Sequence, residues 1–257
     1  MVPDSATTLE GLQATQVFIN SLGRYGNAPF LFPIFGGGEL PQAFCRLSAV
    51  YGGVYCLQRH VSSIVTSSGD NTVSSVVCSS GQKIKCSSAV LSSAFFSQMT
   101  GFKDSIKTTR VSRGIFVTDS PLPGTNGKLS LLTLPPGSLD SAHSTAVIRV
   151  LQLDPPSNNC PPGTFLVHMQ CSGSEATAEQ DLQPAVRALF TDPLDTDSSG
   201  SRPRLLWSLY YNVDLHCVDH THQSGPHGLY LTSEPDTSIG YEKAANEVAP
   251  HVYKPFS

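Results

Sequence analysis

Residues with metal-binding side chains are concentrated near the C-terminal end of the sequence. They are His216, Cys217, His220, His222 and His227. Imidazole and thiolate are the usual ligands of zinc, so a metal site has to be considered. The segment has no Cys-x2-Cys pair, and its Gly, Ser and Pro residues are typical of a variable loop. We therefore predict a polar insertion over residues 215–226 and no metal site.

Hydrolytic chemistry finds no better support in the sequence. Asp219 and Ser224 could join one of these histidines in a catalytic triad, but no Gly-x-Ser-x-Gly elbow is present. No other nucleophile, and no pair of carboxylates at a recognisable spacing, suggests an active site. We predict no catalytic residues.

Three consecutive glycines, Gly36 to Gly38, precede a predicted helix. A helix N-terminus of this kind can bind phosphate through free backbone N–H groups. Here no Gly-Lys-Ser/Thr follows, Glu39 places a carboxylate at the phosphate position, and Pro41 removes one donor. A nucleotide site is therefore not expected.

The helix after these glycines is predicted to run from Glu39 to Tyr51, before Gly52-Gly53 ends it. At 100° per residue it has an apolar face, expected to pack inward, and a polar face. The apolar face carries Leu40, Phe44, Leu47 and Tyr51, and the polar face carries Glu39, Gln42 and Arg46. Glu39 and Arg46 lie about 10 Å apart along the axis, a spacing that suits separate groups on a partner. From spacing alone, an ordinary solvated face is the simpler interpretation.

The elements around this helix follow from local patterns. Thr7 and Glu10 form a capping box that begins a helix, and Gly23 ends it. Alternating and β-branched segments predict strands at 54–57, 61–65, 73–78, 83–86, 89–91, 114–118, 129–134, 146–153, 165–171 and 205–213. Helical spacing predicts two more helices at 175–190 and 239–248, with a further polar insertion at 192–202.

Length and composition limit the class of protein. With 257 residues the chain can form one large domain plus an appended piece. Its net charge of −4 argues against binding to nucleic acid through bulk charge. No apolar run is long enough for a membrane helix, and the first residues lack a secretory signal, so we expect a cytosolic protein. The odd number of cysteines, 7, is then most simply a set of free thiols.

The segment from Leu22 to Leu57 carries a family resemblance. It includes Gly-Glu-Leu-Pro-Gln at 38–42 and Tyr-Gly-Gly-Val-Tyr at 51–55. The segment closely resembles the signature segment of the Rab escort protein and Rab GDP dissociation inhibitor superfamily. Cys45, Cys56, the run 30–33 and the run 205–212 are more similar to the escort proteins, also called component A of Rab geranylgeranyltransferase.

The resemblance implies an α+β fold. The expected architecture is an incomplete flavin-oxidoreductase-like large domain with mixed sheets, of the GDP dissociation inhibitor superfamily. Residues 1–24 would be one remaining helix of a helical domain, and residues 25–257 the C-terminal part of the large Rab-binding domain. The resemblance covers only the second half of the family. The family's first strand and glycine-rich turn would precede residue 7, so we expect a truncated sheet with exposed edges and no bound flavin or other cofactor.

The resemblance also implies a function. The protein would be a non-catalytic accessory subunit that presents GDP-bound Rab for geranylgeranylation and escorts the prenylated product to membranes. Its partners would be Rab GTPases, the catalytic heterodimer of the transferase (mostly through the missing half) and, transiently, a membrane. The family's Rab-binding platform matches Glu39, Gln42, Arg46, Ser48, Val54 and Cys56, and its mobile loop matches Arg24, Tyr25, Phe30 and Leu31. Val54 departs from a hydroxyl residue of the inhibitor branch. The alternatives are a Rab GDP dissociation inhibitor proper and a flavin-dependent oxidoreductase.

Overall fold

A computed structural model describes residues 7–24, 26, 30–96, 106–139, 146–191, 202–218, 225–237, 240–241 and 244–247. The helices are α1 (Thr8–Ser21), α2 (Glu39–Val50), α3 (Ser93–Phe96) and α4 (Ala178–Leu189). The strands are β1 (Val61–Thr66), β2 (Val73–Cys78), β3 (Lys83–Lys85), β4 (Ala89–Ser92), β5 (Ile106–Thr118), β6 (Ser130–Leu134), β7 (Ile148–Leu153), β8 (Phe165–Ser172), β9 (Leu205–Val218) and β10 (Leu229–Thr232).

Within these residues the strands form three sheets. Strands β1, β2 and β3 make an antiparallel meander, and β4 pairs with β10 in parallel. The largest sheet is antiparallel and has the order β6-β7-β8-β5-β9. Separate helices, two antiparallel sheets and one parallel pair make this an α+β fold, as predicted.

Helix α4 covers one face of the five-stranded sheet and forms the main core with it. The ring of Phe116 is fully buried there, 5.3 Å from the rings of both Phe190 and Tyr210. A Cβ atom at Gly114 would lie 2.5 Å from the Phe116 ring, so the glycine makes room for it. On α4, Asp181 accepts a 2.5 Å hydrogen bond from the hydroxyl of Ser112 on β5, which fixes the helix on the sheet.

Two strands are longer than the sequence indicates. Strand β5 extends back to Ile106 and β9 extends forward to Val218, and the two pair along almost their whole length. The prediction of a polar insertion from residue 215 is therefore wrong at its start, since His216 and Cys217 lie in β9. Both extensions carry exposed polar residues, so local hydrophobicity does not indicate that they are strands. Pairing between the two distant strands determines their structure.

The predicted strand at 54–57 is also wrong. These residues are irregular and exposed, and Gln58 turns the chain with a φ of 56°. No described strand pairs with them, and β propensity without a partner strand does not make a strand. Of the predicted helix at 239–248, residues 244–247 are helical, and 239, 242, 243 and 248 lie outside the described residues. Nearly all of the predicted insertion at 192–202 lies outside them too.

The apolar face of α2 does not pack inward, contrary to the sequence prediction. Phe44 is 68% exposed, Leu47 52% and Tyr51 84%, and no residue of α2 is buried. Helix α1 has no buried residue either. No described element packs on these faces. The periodicity therefore identifies the apolar face correctly, but it does not tell whether another part of this chain packs against it.

We expect the 257-residue chain to self-associate at micromolar concentration, because contiguous exposed apolar surface favours association. Light scattering after size exclusion should give a mass above the 27.4 kDa of one chain. The double substitution Phe44→Ser and Leu47→Ser should shift the population toward the monomer. Leu132→Ser, on edge strand β6, serves as the control for association through sheet edges. A monomeric parent chain that unfolds cooperatively would contradict the prediction.

Candidate functional site

The polar face of α2 is the candidate site, and its geometry begins at the helix N-terminus. The cap residue Gly38 offers no side chain, so backbone bonds close the first turn. The N–H of Glu39 donates to the carbonyl of Gly36 at 3.1 Å, and that of Gln42 donates to the carbonyl of Gly38 at 3.3 Å. Pro41 needs no acceptor at this position. The Glu39 carboxylate lies in the first turn, where the helix dipole favours a negative charge.

The segment before α2 is fastened to the turn after β7. The N–H of Phe35 donates to the carbonyl of Ser157 at 2.9 Å. Gly36 has a φ of 95°, and a Cβ atom there would lie 2.7 Å from Oδ1 of Asn159. Asn159 in turn donates from Nδ2 to the carbonyl of Ser157 at 2.8 Å. This close approach ties the residues just before α2 to the turn after β7, and it explains a glycine at 36 without a phosphate.

The C-terminal end of α2 is held by a second close approach. Gly52 has a φ of 84°, and the N–H of Gly53 donates to the carbonyl of Ser48 at 2.9 Å. A Cβ atom on Gly53 would clash with the Ser48 hydroxyl at 2.1 Å. The paired glycines therefore end the helix and lead the chain toward Val54 in a fixed direction.

Three of the six predicted platform residues lie together. Glu39, Gln42 and Arg46 are exposed on one face of α2, and none of their side chains makes a hydrogen bond or ion pair with another described residue. Ser48 lies on another side of the helix, half-buried beside Gly53. Val54, 83% exposed, follows the helix in the irregular segment. Cys56 is exposed in the same segment. The predicted platform residues therefore lie in two places, on α2 and in the irregular segment that follows it.

The predicted mobile loop is described only in part. Arg24, Phe30 and Leu31 are exposed, and Tyr25 lies outside the described residues. The ring of Phe30 contacts Phe18 of α1 edge to face, with the centroids 6.5 Å apart. The contact shows how the loop returns toward α1. Mobility of this loop remains a prediction.

The histidine-rich segment contains an ion-pair geometry that the sequence did not reveal. Nδ1 of His216 lies 2.8 Å from Oε2 of Glu234, and the backbone N–H of His216 donates to the same oxygen at 2.8 Å. This pair connects the end of β9 to the segment after β10. His220, His222, Asp219 and Ser224 lie outside the described residues. Among the residues that are described, no cluster of three potential metal ligands occurs.

The cysteines differ sharply in their surroundings, which gives a chemical test of the fold. Cys56 is exposed, whereas Cys171 on β8 is 1% exposed. Burial, with the nearby charge of Asp181, raises the pKa of the Cys171 thiol to about 12. Because the thiolate is the reacting species, iodoacetamide at pH 8 should alkylate Cys56 within minutes and leave Cys171 unmodified until the protein unfolds. Peptide mass spectrometry after timed quenching measures both. Equal labelling in the native state would contradict this placement of β8.

Comparisons with known proteins agree with the resemblance of the signature segment. The family described as RAE1/2 domain I, C-terminal region, matches residues 111–237. Rab proteins geranylgeranyltransferase component A 2 of Mus musculus is 35% identical over 250 residues, covering 95% of this chain and 39% of the relative. Component A 1 of Homo sapiens is 33% identical, covering 95% of this chain and 37% of the relative. Rab GDP dissociation inhibitor beta of Canis lupus familiaris is 26% identical over 80% of this chain and 46% of its own length.

The fold comparison agrees with the sequence comparison. The crystal structure of a Rab GDP dissociation inhibitor from Plasmodium falciparum matches with a TM-score of 0.77 at 18% identity, covering 96% of this chain and 52% of the other. Such a match shows the fold, and the predicted fold class is confirmed. Among the described residues, no helix is both long and apolar enough to cross a bilayer. The chain spans well under half the length of the component A relatives it matches. The chain is therefore similar to the Rab escort proteins, component A of Rab geranylgeranyltransferase, and its residues 111–237 match the C-terminal region of domain I of that family.

Proposed function

We propose that this chain is the Rab-binding part of a non-catalytic accessory protein. In this role it binds GDP-bound Rab GTPases, presents them for geranylgeranylation and escorts the prenylated product to membranes. The component A relatives support the proposal, because their names place them with a transferase that acts on Rab proteins. We assign residues 25–257 to the large domain and residues 1–24 to the remaining helix of a helical domain.

The observation that carries the proposal is the exposed polar face of α2. Glu39, Gln42 and Arg46 project from a helix whose N-terminal end is held by the approach of Gly36 to Asn159 and whose C-terminal end is closed by Gly53 against Ser48. Held ends reduce the ordering cost of binding. An acidic, an amide and a guanidinium group, without partners among the described residues, suit a polar protein surface such as a GTPase switch region. The guanidinium makes the most demanding contact, because it can bind a carboxylate through two parallel hydrogen bonds.

We further propose that the protein works in the cytosol and contacts the catalytic heterodimer of the transferase and, transiently, a membrane. All seven cysteines are free thiols, which suits a reducing compartment. The contacts with the heterodimer and the prenyl chain would involve parts of the longer relatives that this chain does not match. This chain alone is therefore expected to bind Rab but not to support transfer.

The binding test uses the 257-residue chain immobilised at low density, which keeps its copies apart. Purified Rab loaded with GDP should bind saturably, and the same Rab loaded with a non-hydrolysable GTP analogue should bind at least tenfold more weakly. A Ras-type GTPase loaded with GDP serves as the control for general GTPase binding. Equal binding of both nucleotide states, or none of either, would overturn the proposal.

A Rab GDP dissociation inhibitor proper is the second candidate, and the match to the canine inhibitor favours it. The two functions differ in the Rab that they accept. An escort protein must bind unprenylated Rab, whereas an inhibitor should require the prenylated form. Titration with both forms of one Rab distinguishes them. The colour of the purified protein tests the oxidoreductase alternative, since stoichiometric flavin absorbance would exclude a cofactor-free accessory protein.

A further inference from the structure

The face of the five-stranded sheet opposite α4 carries basic side chains in one row. Residues 112, 114 and 116 of β5 face α4, so alternation places Arg113 on the other face. Strand pairing aligns Arg149 of β7 with Gln170 of β8, and Gln170 with Arg113 of β5. The two arginines therefore flank one glutamine, with Cα atoms about 10 Å apart across two strand spacings. Two long side chains on the same face can both approach a group that lies beside Gln170.

Arg113 has an unsatisfied donor. Its Nε atom is buried and has no hydrogen-bond acceptor among the described residues. A buried guanidinium N–H without an acceptor is costly, and native structures rarely leave one unpaired. Neither Arg113 nor Arg149 forms an ion pair with a described residue. The row thus has positive charge and at least one free hydrogen-bond donor. Both features favour the binding of an anion.

A cavity lies at the Arg149 end of this row. It has a volume of about 480 Å³, and Arg149 lines it together with Ser172 and Thr237. Neither hydroxyl donates a hydrogen bond to a described residue, so both are available to a ligand. Pro136, Ala146 and Val147 form the apolar wall. Nε2 of Gln170 donates to the carbonyl of Thr237 at 3.3 Å, which holds this side of the cavity over the sheet.

Among the described residues, the nearby acidic groups do not neutralise the row. Asp181 lies beyond Gly173, where its carboxylate accepts hydrogen bonds from the hydroxyls of Ser112 and Ser174 and from the N–H of Ser174. Asp236 precedes Thr237 and already has an interaction of its own. His168 shares the face with Arg113, and burial together with the Arg113 charge lowers its pKa, so the imidazole is neutral at pH 7. The arginines are therefore the charges that a ligand meets.

We propose that Arg113 and Arg149 form a binding site for a small organic anion that carries a phosphate or carboxylate group. The acidic group lies on the cavity side of Gln170, whose amide already donates to the Thr237 carbonyl. Arg149 lines the cavity and contacts the group directly, and the guanidinium group of Arg113 approaches from β5. The hydroxyls of Ser172 and Thr237 complete the polar contacts. The apolar remainder of the ligand occupies the cavity against Pro136 and Val147. This site is separate from the α2 face and does not depend on Rab binding.

Calorimetric titration of the full 257-residue chain with inorganic pyrophosphate and, separately, citrate tests the site. We expect saturable binding of at least one probe, and the tighter probe identifies phosphate or carboxylate as the preferred group. Arg149→Gln should weaken binding at least tenfold. Arg113→Lys keeps the charge but removes the buried Nε donor, and it should weaken binding too. Arg187→Gln is the matched control, because this exposed arginine lies on α4 on the far side of the sheet.

A second readout locates the anion on the sheet face. Bound anion stabilises the imidazolium of His168, so its pKa, measured by histidine NMR, should rise when the tighter probe is added and should not rise in Arg149→Gln. If Arg113→Lys fails to fold by circular dichroism, Arg149→Gln decides the matter alone. Absence of saturable binding by both probes would overturn the proposal. So would an equal loss of affinity in Arg187→Gln, or an unchanged pKa of His168.

Discussion

Arg46→Ala should lower the affinity of the chain for GDP-bound Rab about thirtyfold or more, equal to about 2 kcal/mol or more of binding free energy. The expectation depends on the proposed function. Arg46 is exposed on α2 and has no partner among the described residues, so its loss costs the fold little. A charge-assisted contact that becomes buried in a complex is, by contrast, costly to remove, because its partner is left unpaired. Biosensor titration of parent and variant with one Rab measures the difference.

Arg187→Ala is the matched control for this measurement. Arg187 is also an exposed arginine in a helix, but it lies in the last turn of α4, away from α2. Its substitution should leave the affinity for Rab within twofold of the parent. Glu39→Gln keeps the shape of the side chain and should cause a smaller loss than Arg46→Ala. Equal affinities of Arg46→Ala and the parent would remove Arg46 from the platform.

Local sequence signals predicted the helices better than the strands. The capping box of Thr7 and Glu10 begins α1 as expected, and helical spacing located α2 and the whole of α4. Caps and periodicity act within a few residues, so a sequence window contains the information. The extensions of β5 and β9 depend instead on each other, about 100 residues apart in the chain. The irregular 54–57 segment shows the converse, since residues of high β propensity such as Val54 and Tyr55 form no strand without a neighbouring strand.

The candidate site divides in the same way. Helical periodicity alone placed Glu39, Gln42 and Arg46 on one face, and the structure has them there. The contact that fixes the start of α2 was not predictable from the sequence, because it joins Gly36 to Asn159, more than 120 residues away in the chain. Gly36 was the available signal, because its positive φ and its approach to Asn159 require a glycine, whereas Gly37 and Gly38 have no neighbour within 4 Å. The row of Arg149, Gln170 and Arg113 was likewise invisible, since strand register creates it.

Phe116→Ala should destabilise the chain by about 3–5 kcal/mol, the usual cost of emptying a buried phenylalanine site. Phe116 is fully buried between the five-stranded sheet and α4, and its ring contacts those of Phe190 and Tyr210. Gly114 leaves no side chain beneath the ring that could refill the space. Since small domains are stable by only about 5–15 kcal/mol, this loss removes a large share of the total. Urea titration at low protein concentration, followed by the fluorescence of the single tryptophan, Trp207, measures it.

A phenylalanine-to-alanine substitution on α2, at Phe44, is the control for this measurement. Phe44 is 68% exposed, so Phe44→Ala should change the free energy of unfolding by less than about 0.5 kcal/mol. The two variants remove the same atoms, and only their burial differs. A large loss in Phe44→Ala would mean that α2 is covered in the folded chain, which contradicts its exposed apolar face. A small loss in Phe116→Ala would mean that the packing of α4 on the sheet does not form the stabilising core. Together the two values separate the surface that stabilises this chain from the surface that it presents to other proteins.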